Sequence, residues 1–192
     1  EFLSTHSATL ECHLGQYATF ENNVFSALNT AFLRDAALIL VPKNVSVTRP
    51  IHLLFIATQQ EVTSYPRCLL IGETGSNVTI IEDYVALQDA TYITNSVTEI
   101  SLAANAHARH IRVQRENTQA FHFANCAVSL AHASHYQSAS ISLGSHISRY
   151  NLDVRLMDEA AECIIDGLTL ISDRQLADTH TCIDHVKPNG TS

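Results

Sequence analysis

From Val78 to Leu170 apolar side chains recur two residues apart in short bursts. Val78/Ile80, Ile100/Leu102, Ile111/Val113, Phe121/Phe123, Val128/Leu130, Ile141/Leu143, Leu152/Val154/Leu156, Cys163/Ile165 and Leu168/Leu170 all follow this spacing. A period of two belongs to strands with one buried and one wet face. Small-residue corners separate the bursts, and Ala106, Ala133 and Ala160 stand at a constant interval of 27. Strand, corner and strand at a fixed interval of this size predict the coils of a solenoid.

Upstream the period changes. Phe20, Val24, Phe25, Leu28 and Phe32 fall on one helical face, with Thr19 as the expected N-cap. This amphipathic helix is expected to cover an open end of the strand stack, where backbone groups would otherwise be unpaired. The domain reading is an N-terminal segment over residues 1–34 and a β core over 35–192. Between Pro66 and Pro188 there is no proline, as paired ladders require. An antiparallel sandwich competes, but Asp166-Gly167 is its one hairpin signal between strands. The fold class is therefore all-β, a parallel β-helix with a short N-terminal amphipathic helix.

Composition narrows the function. The chain has 192 residues, 46% hydrophobic, with formal net charge −8, which argues against a phosphate-binding face and nucleic-acid partners. Five cysteines are widely spaced without a Cys-x-x-Cys pair, which suggests reduced thiols. No run of about 18 apolar residues predicts a membrane span. The chain begins Glu1-Phe2, which reads as a trimmed or excised start. Three glycosylation-type triplets, at Asn44, Asn77 and Asn189, are read as chance.

Eleven histidines are the unusual feature. His107/His110 and His132/His135 look like chelating pairs, yet on a strand residues three apart face opposite ways. A 27-residue coil would set His107 beside Ser134 and Ala108 beside His135, leaving no two histidines in one ladder. Arg109, His110, Arg112 and Arg115 read as the solvated face of a strand whose apolar face carries Ile111 and Val113. In the tail, Asp178, His180, Cys182 and Asp184 share a strand face. Of these, His180 and Cys182 are the candidate metal ligands, suited to iron or zinc. No phosphate loop, serine elbow or zinc-helix signature occurs, so no catalytic residue is expected.

Several blocks then resemble one family. Phe25-Ser-Ala-Leu-Asn-Thr-Ala-Phe32, Val41-Pro42-Lys-Asn44, Tyr65-Pro-Arg-Cys-Leu-Leu-Ile71, Val78-Thr-Ile-Ile-Glu-Asp-Tyr84, Gln114-Arg-Glu-Asn117 and Asp178-Thr-His-Thr181 through Asp184-His-Val-Lys-Pro188 are similar to the SufB/SufD family, nearer its SufD branch. The resemblance implies a right-handed parallel β-helix and a scaffold role in iron–sulfur cluster assembly, without enzymatic activity. It implies a SufB-like paralogue and a SufC-like ATPase as partners, and residence in a bacterial cytoplasm or plastid stroma. This chain alone is expected to bind no cofactor, an iron–sulfur cluster belonging to the complex. Asp35-Ala36 departs from the family's usual Asp-Gly. The segment that holds SufC lies beyond Ser192 in the family, so the chain is expected to be a core fragment whose exposed coil end favours a homodimer. The alternative is a secreted β-helix enzyme acting on polysaccharide, which would need clustered carboxylates in one groove.

Overall fold

The computed structural model describes residues 7–21 and 23–192. Among the described residues two short helices, α1 (Ser7–His13) and α2 (Val24–Ala31), precede the strands. These are β1 (Ala37–Val41), β2 (Ile51–Ala57), β3 (Thr63–Ser64), β4 (Arg67–Gly72), β5 (Asn77–Ala86), β6 (Ile93–Leu102), β7 (His107–Gln114), β8 (Phe121–Leu130), β9 (His135–Ser142), β10 (Ile147–Leu156), β11 (Glu162–Thr169) and β12 (Leu176–His185). All strand pairings are parallel. One sheet runs β1-β4-β6-β8-β10-β12 with β3 beside β6, the other β11-β9-β7-β5-β2. From β4 onward consecutive strands alternate between the two sheets, which makes a parallel β-helix of about five turns. Among the described residues no hairpin forms: Asp166-Gly167 lies inside β11.

The coils are not of one length. His107 stands opposite His135, a step of 28 (135 − 107), whereas β8 to β10 steps by 26 (147 − 121) and β5 to β7 by 30 (107 − 77). Corner geometry accounts for the departure from a constant 27. Asn44, Asn105, Ala133, Ala160 and Asn189 have positive φ, near +60°, and Gly75 takes the same place at +68°. The left-handed residue equivalent to Ala133 is therefore Asn105, not Ala106. Asn and Gly reach this region readily, but alanine reaches it only at a cost. The expected His107–Ser134 neighbours are overturned: His107 and His135 are in register, their rings stacked at 5.0 Å.

Helix α2 does not cap an end of the stack. It lies across the outer face of the larger sheet, against β6 and β8. Its N-cap is Asn23, whose side chain accepts from Phe25 N (3.0 Å) and Ser26 N (3.1 Å), so Thr19 does not fill that role. The helix buries Ser26 and Asn29 while Val24 (66% exposed) and Phe32 (53%) face outward. The reason is hydrogen bonding: Asn29 Nδ2 donates to Pro66 O (2.9 Å) and Asn95 O (2.8 Å), and Asn95 Nδ2 donates to Phe25 O (2.9 Å). Of the apolar stripe, Phe25 stacks on Phe123 at 4.0 Å, and the half-exposed Phe32 stacks on Tyr65 at 5.0 Å.

Inside the coil the lumen divides in two. Beside the Asn/Ala corners it is apolar, filled by Val78, Ile80, Ile100, Leu102, Val128, Leu130, Val154 and Leu156. Towards the opposite corners it is polar, with Glu82, Arg112, Gln114, Glu116 and His122 all buried.

Candidate functional site

The polar half of the lumen is built from strand alternation. In β7 the inward positions are Ala108, His110, Arg112 and Gln114, while Ile111 and Val113 are partly exposed on the outer face. The expectation of a solvated His110/Arg112 face is thus inverted. Hydrophobicity was a misleading guide here because the interior supplies carboxylates, and a buried polar group is tolerated when partnered.

Glu82 is the centre of the first group. Its carboxylate accepts from Thr98 Oγ1 (2.6 Å) and Tyr84 OH (3.0 Å) and lies 3.6 Å from His110 Nε2. Burial pushes the Glu82 carboxyl up, but the His110 charge and these hydrogen bonds outweigh it and hold it low. Burial likewise pushes His110 down, and the Glu82 carboxylate outweighs it, keeping the ring protonated. On the other ring edge, His110 Nδ1 is 2.9 Å from Tyr136 OH and 4.0 Å from Cys126 Sγ.

A second carboxylate, Glu116, is contacted by Thr94 Oγ1 (2.8 Å), Gln114 Nε2 (3.2 Å) and His122 Nδ1 (2.6 Å). Burial raises its pKa, and His122, Thr94 and Gln114 together bring it below the ordinary value. For His122 burial dominates and lowers the pKa, so the ring is neutral.

Cys126, His110 and Glu82 follow the order of nucleophile, base and orienting carboxylate. Yet all three are buried, and the imidazole edge nearest the sulfur is taken by Tyr136. The arrangement suits a rigid polar core rather than turnover of an external substrate.

On the outer face of the larger sheet, Glu99 of β6 anchors the N-terminal segment. Its carboxylate accepts from Gly15 N (2.8 Å), Tyr17 N (2.9 Å) and Ala18 N (3.0 Å), and pairs with Arg67 Nη2 at 2.6 Å. Cys182 stands in the same ladder, through Ala127 and Asp153. It lines a groove of about 370 Å³ between the N-terminal segment and the β10/β12 face, together with Asp153 and Asp184. Burial raises the Asp153 pKa.

The tail alternation places Asp178, His180, Cys182 and Asp184 together on that outer face, opposite Arg149, Asn151, Asp153 and Arg155. His180 Nε2 is 3.0 Å from Asp178 Oδ1, and Asp178 also pairs with Arg149 at 2.7 Å. The two candidate ligands share a face, but among the described residues no group of three or more His, Cys, Asp or Glu side chains is placed to hold a metal ion. Sequence reasoning missed Glu82, Glu99, Glu116 and Arg67. Their only sequence signal was recurrence of polar residues at coil spacing, legible once the true register is known.

Residues 55–192 match the family described as SUF system FeS cluster assembly, SufBD core domain, and residues 1–53 match the SufBD protein N-terminal region. The chain belongs to the SufBD family. It is 37% identical over 190 residues to an iron–sulfur cluster assembly SufBD family protein of Synechocystis, covering 94% of this chain and 42% of that protein. It is 30% identical over 168 residues to the iron–sulfur cluster assembly protein SufD of Escherichia coli, covering 85% and 40%. It is 25% identical over 178 residues to the chloroplastic protein ABCI7 of Arabidopsis thaliana, covering 88% and 38%. The chain thus spans about two-fifths of the length of these relatives. Membership in this family ties the chain to the SUF system of iron–sulfur cluster assembly. Among the described residues no helix is long and apolar enough to cross a membrane.

Proposed function

We propose that this chain is part of a scaffold subunit of the SUF iron–sulfur cluster assembly complex, working beside a SufB-like paralogue and a SufC-like ATPase and not itself an enzyme. One observation carries the non-catalytic reading: the strongly perturbed acid–base groups Glu82 and His110, and the thiol beside them, are sealed in the lumen. What the molecule offers its surroundings is rigid outer faces. The iron–sulfur cluster is cargo of the complex rather than a resident of this chain, and the working compartment is a bacterial cytoplasm or a plastid stroma. Co-expression of the full-length protein with its SufB-like and SufC-like partners is expected to yield one co-purifying complex, with ATP hydrolysis in the SufC-like subunit. Recovery of the full-length protein free of both would overturn the reading. No activity on polygalacturonate is expected.

Within that complex we assign His180 and Cys182 a weak metal contact at the exposed β12 face. Soft sulfur beside imidazole is the donor pair that suits iron or zinc. Replacing both by alanine is expected to lower the iron recovered with the co-expressed complex. Unchanged iron content would remove these residues from the proposal.

A further inference from the structure

Arg112 is an unusual resident of the lumen. It is 1% exposed, yet among the described residues no carboxylate lies within ion-pairing reach of it. The two nearby carboxylates are already engaged, Glu82 with His110, Thr98 and Tyr84, and Glu116 with His122, Thr94 and Gln114. A buried cation left without a partner is strongly destabilising.

Its surroundings define which part of the guanidinium is free. The ring of Tyr150 sits 4.5 Å from Cζ and that of Tyr84 5.8 Å, an arrangement that shields the cation by cation–π contact. One donor, Nη1, makes long hydrogen bonds of 3.4 Å to Ser140 Oγ and Ser142 Oγ. The other edge, Nε with Nη2, is buried and has no partner. That edge is the planar fork which grips oxyanions in two parallel hydrogen bonds. Two further buried hydroxyls of the polar lumen, Ser138 Oγ and Tyr150 OH, also lack partners. Both are able to donate.

The ladder through Arg112 runs from Glu82 to Arg112, Ser140 and Gly167, so the side chains shorten beyond the arginine towards the last coil, where Gly167 is exposed.

We propose that the polar lumen is a binding site for a small oxyanion, held by the Nε/Nη2 edge of Arg112 with hydroxyl donors from Ser138 and Tyr150. The anion compensates the buried guanidinium and satisfies donors that the protein leaves idle. The site is distinct from the exposed β12 face and is independent of the scaffold reading.

Selenate serves as the probe, since selenium scatters anomalously. Crystals of the full-length protein soaked in sodium selenate are expected to show an anomalous peak within hydrogen-bonding distance of Arg112 Nε and Nη2. In solution, selenate is expected to raise Tm in a saturable way beyond sodium chloride of equal ionic strength. Arg112→Lys keeps the charge but loses the fork, and is expected to weaken the apparent selenate affinity about tenfold. Glu159→Gln, in an exposed turn at the Ala160 corner on the apolar side of the coil, is the control and is expected to leave affinity unchanged. No peak at Arg112, ordered water alone at its free edge, or equal selenate response in wild type and Arg112→Lys would each overturn the proposal.

Discussion

Single residues carry much of the local information in this solenoid, and the corner alanines show how. Ala133 (φ 50°) and Ala160 (φ 57°) hold a left-handed conformation that costs an L-residue about 1–2 kcal/mol. Glycine relieves this strain but adds unfolded-state entropy, so Ala133→Gly and Ala160→Gly are each expected to stabilise by about 0.5 kcal/mol. Ala106, fully buried and outside the left-handed region, is expected to lose stability as glycine. Urea unfolding of the three variants separates these outcomes, and a gain at Ala106 would contradict the corner assignment. The Glu82–His110 pair makes stability pH-dependent. His110, raised to about 10, contributes fully below its unfolded value of about 6.5, and that contribution fades as pH climbs towards 10. Glu82, lowered to about 2, contributes above an unfolded value of about 4.3 and loses that contribution as pH falls towards 2. Unfolding free energy is expected to decline between neutrality and pH 10, less steeply in His110→Gln. Equal slopes would refute the pairing.

At the scale of elements, β7 shows why hydropathy alone misplaces a strand's faces. In His-Ala-Arg-His-Ile-Arg-Val-Gln the alternation of Ile111 and Val113 with Arg112 and Gln114 is legible, while Ala108 falls on the opposite face. Which face turns inward depends on Glu82 and the Ser138–Ser142 run, which lie one coil away on either side. A one-residue shift in register exchanges the faces of a strand, and the constant spacing of 27 was one short between β7 and β9. The N-terminal segment has a similar history. Its helix period was readable, but the polar edge of α2 packs inward because Asn95 and Pro66 offer matching groups. Glu99 then straps the preceding turn down. Glu99→Gln leaves Arg67 buried without a charge partner, and a loss of about 3–5 kcal/mol is expected by urea unfolding. Faster hydrogen exchange at the Gly15, Tyr17 and Ala18 amides is expected with it. Unchanged exchange there would mean that the strap is held elsewhere.

Residues 37–185 form one continuous stack of coils. Its flanks are dressed by the N-terminal segment, while the last coil leaves Leu168, Leu170 and Leu176 more than half exposed. Apolar surface gathered at one end favours association. A polypeptide of residues 1–192 is therefore expected to self-associate in size-exclusion chromatography as concentration rises. Leu168→Glu with Leu170→Lys is expected to shift it to a monomer. A monomer at all concentrations in the unmodified polypeptide would count against self-association of this stretch through Leu168 and Leu170.

The sequence by itself determined the period of two, the solenoid class and the family, because strand alternation and matched blocks are local properties of the chain. It also placed Asp178, His180, Cys182 and Asp184 on one face, since alternation within a strand needs no neighbour. The tertiary structure decided everything that depends on register between coils: the His107–His135 stack, the inward turn of His110 and Arg112, and the ladder joining Glu99 to Cys182. The physical reason is that a buried charge is tolerated only beside its partner. In a β-helix that partner lies a full coil away in sequence, at a distance that varies from 26 (147 − 121) to 31 (68 − 37) residues.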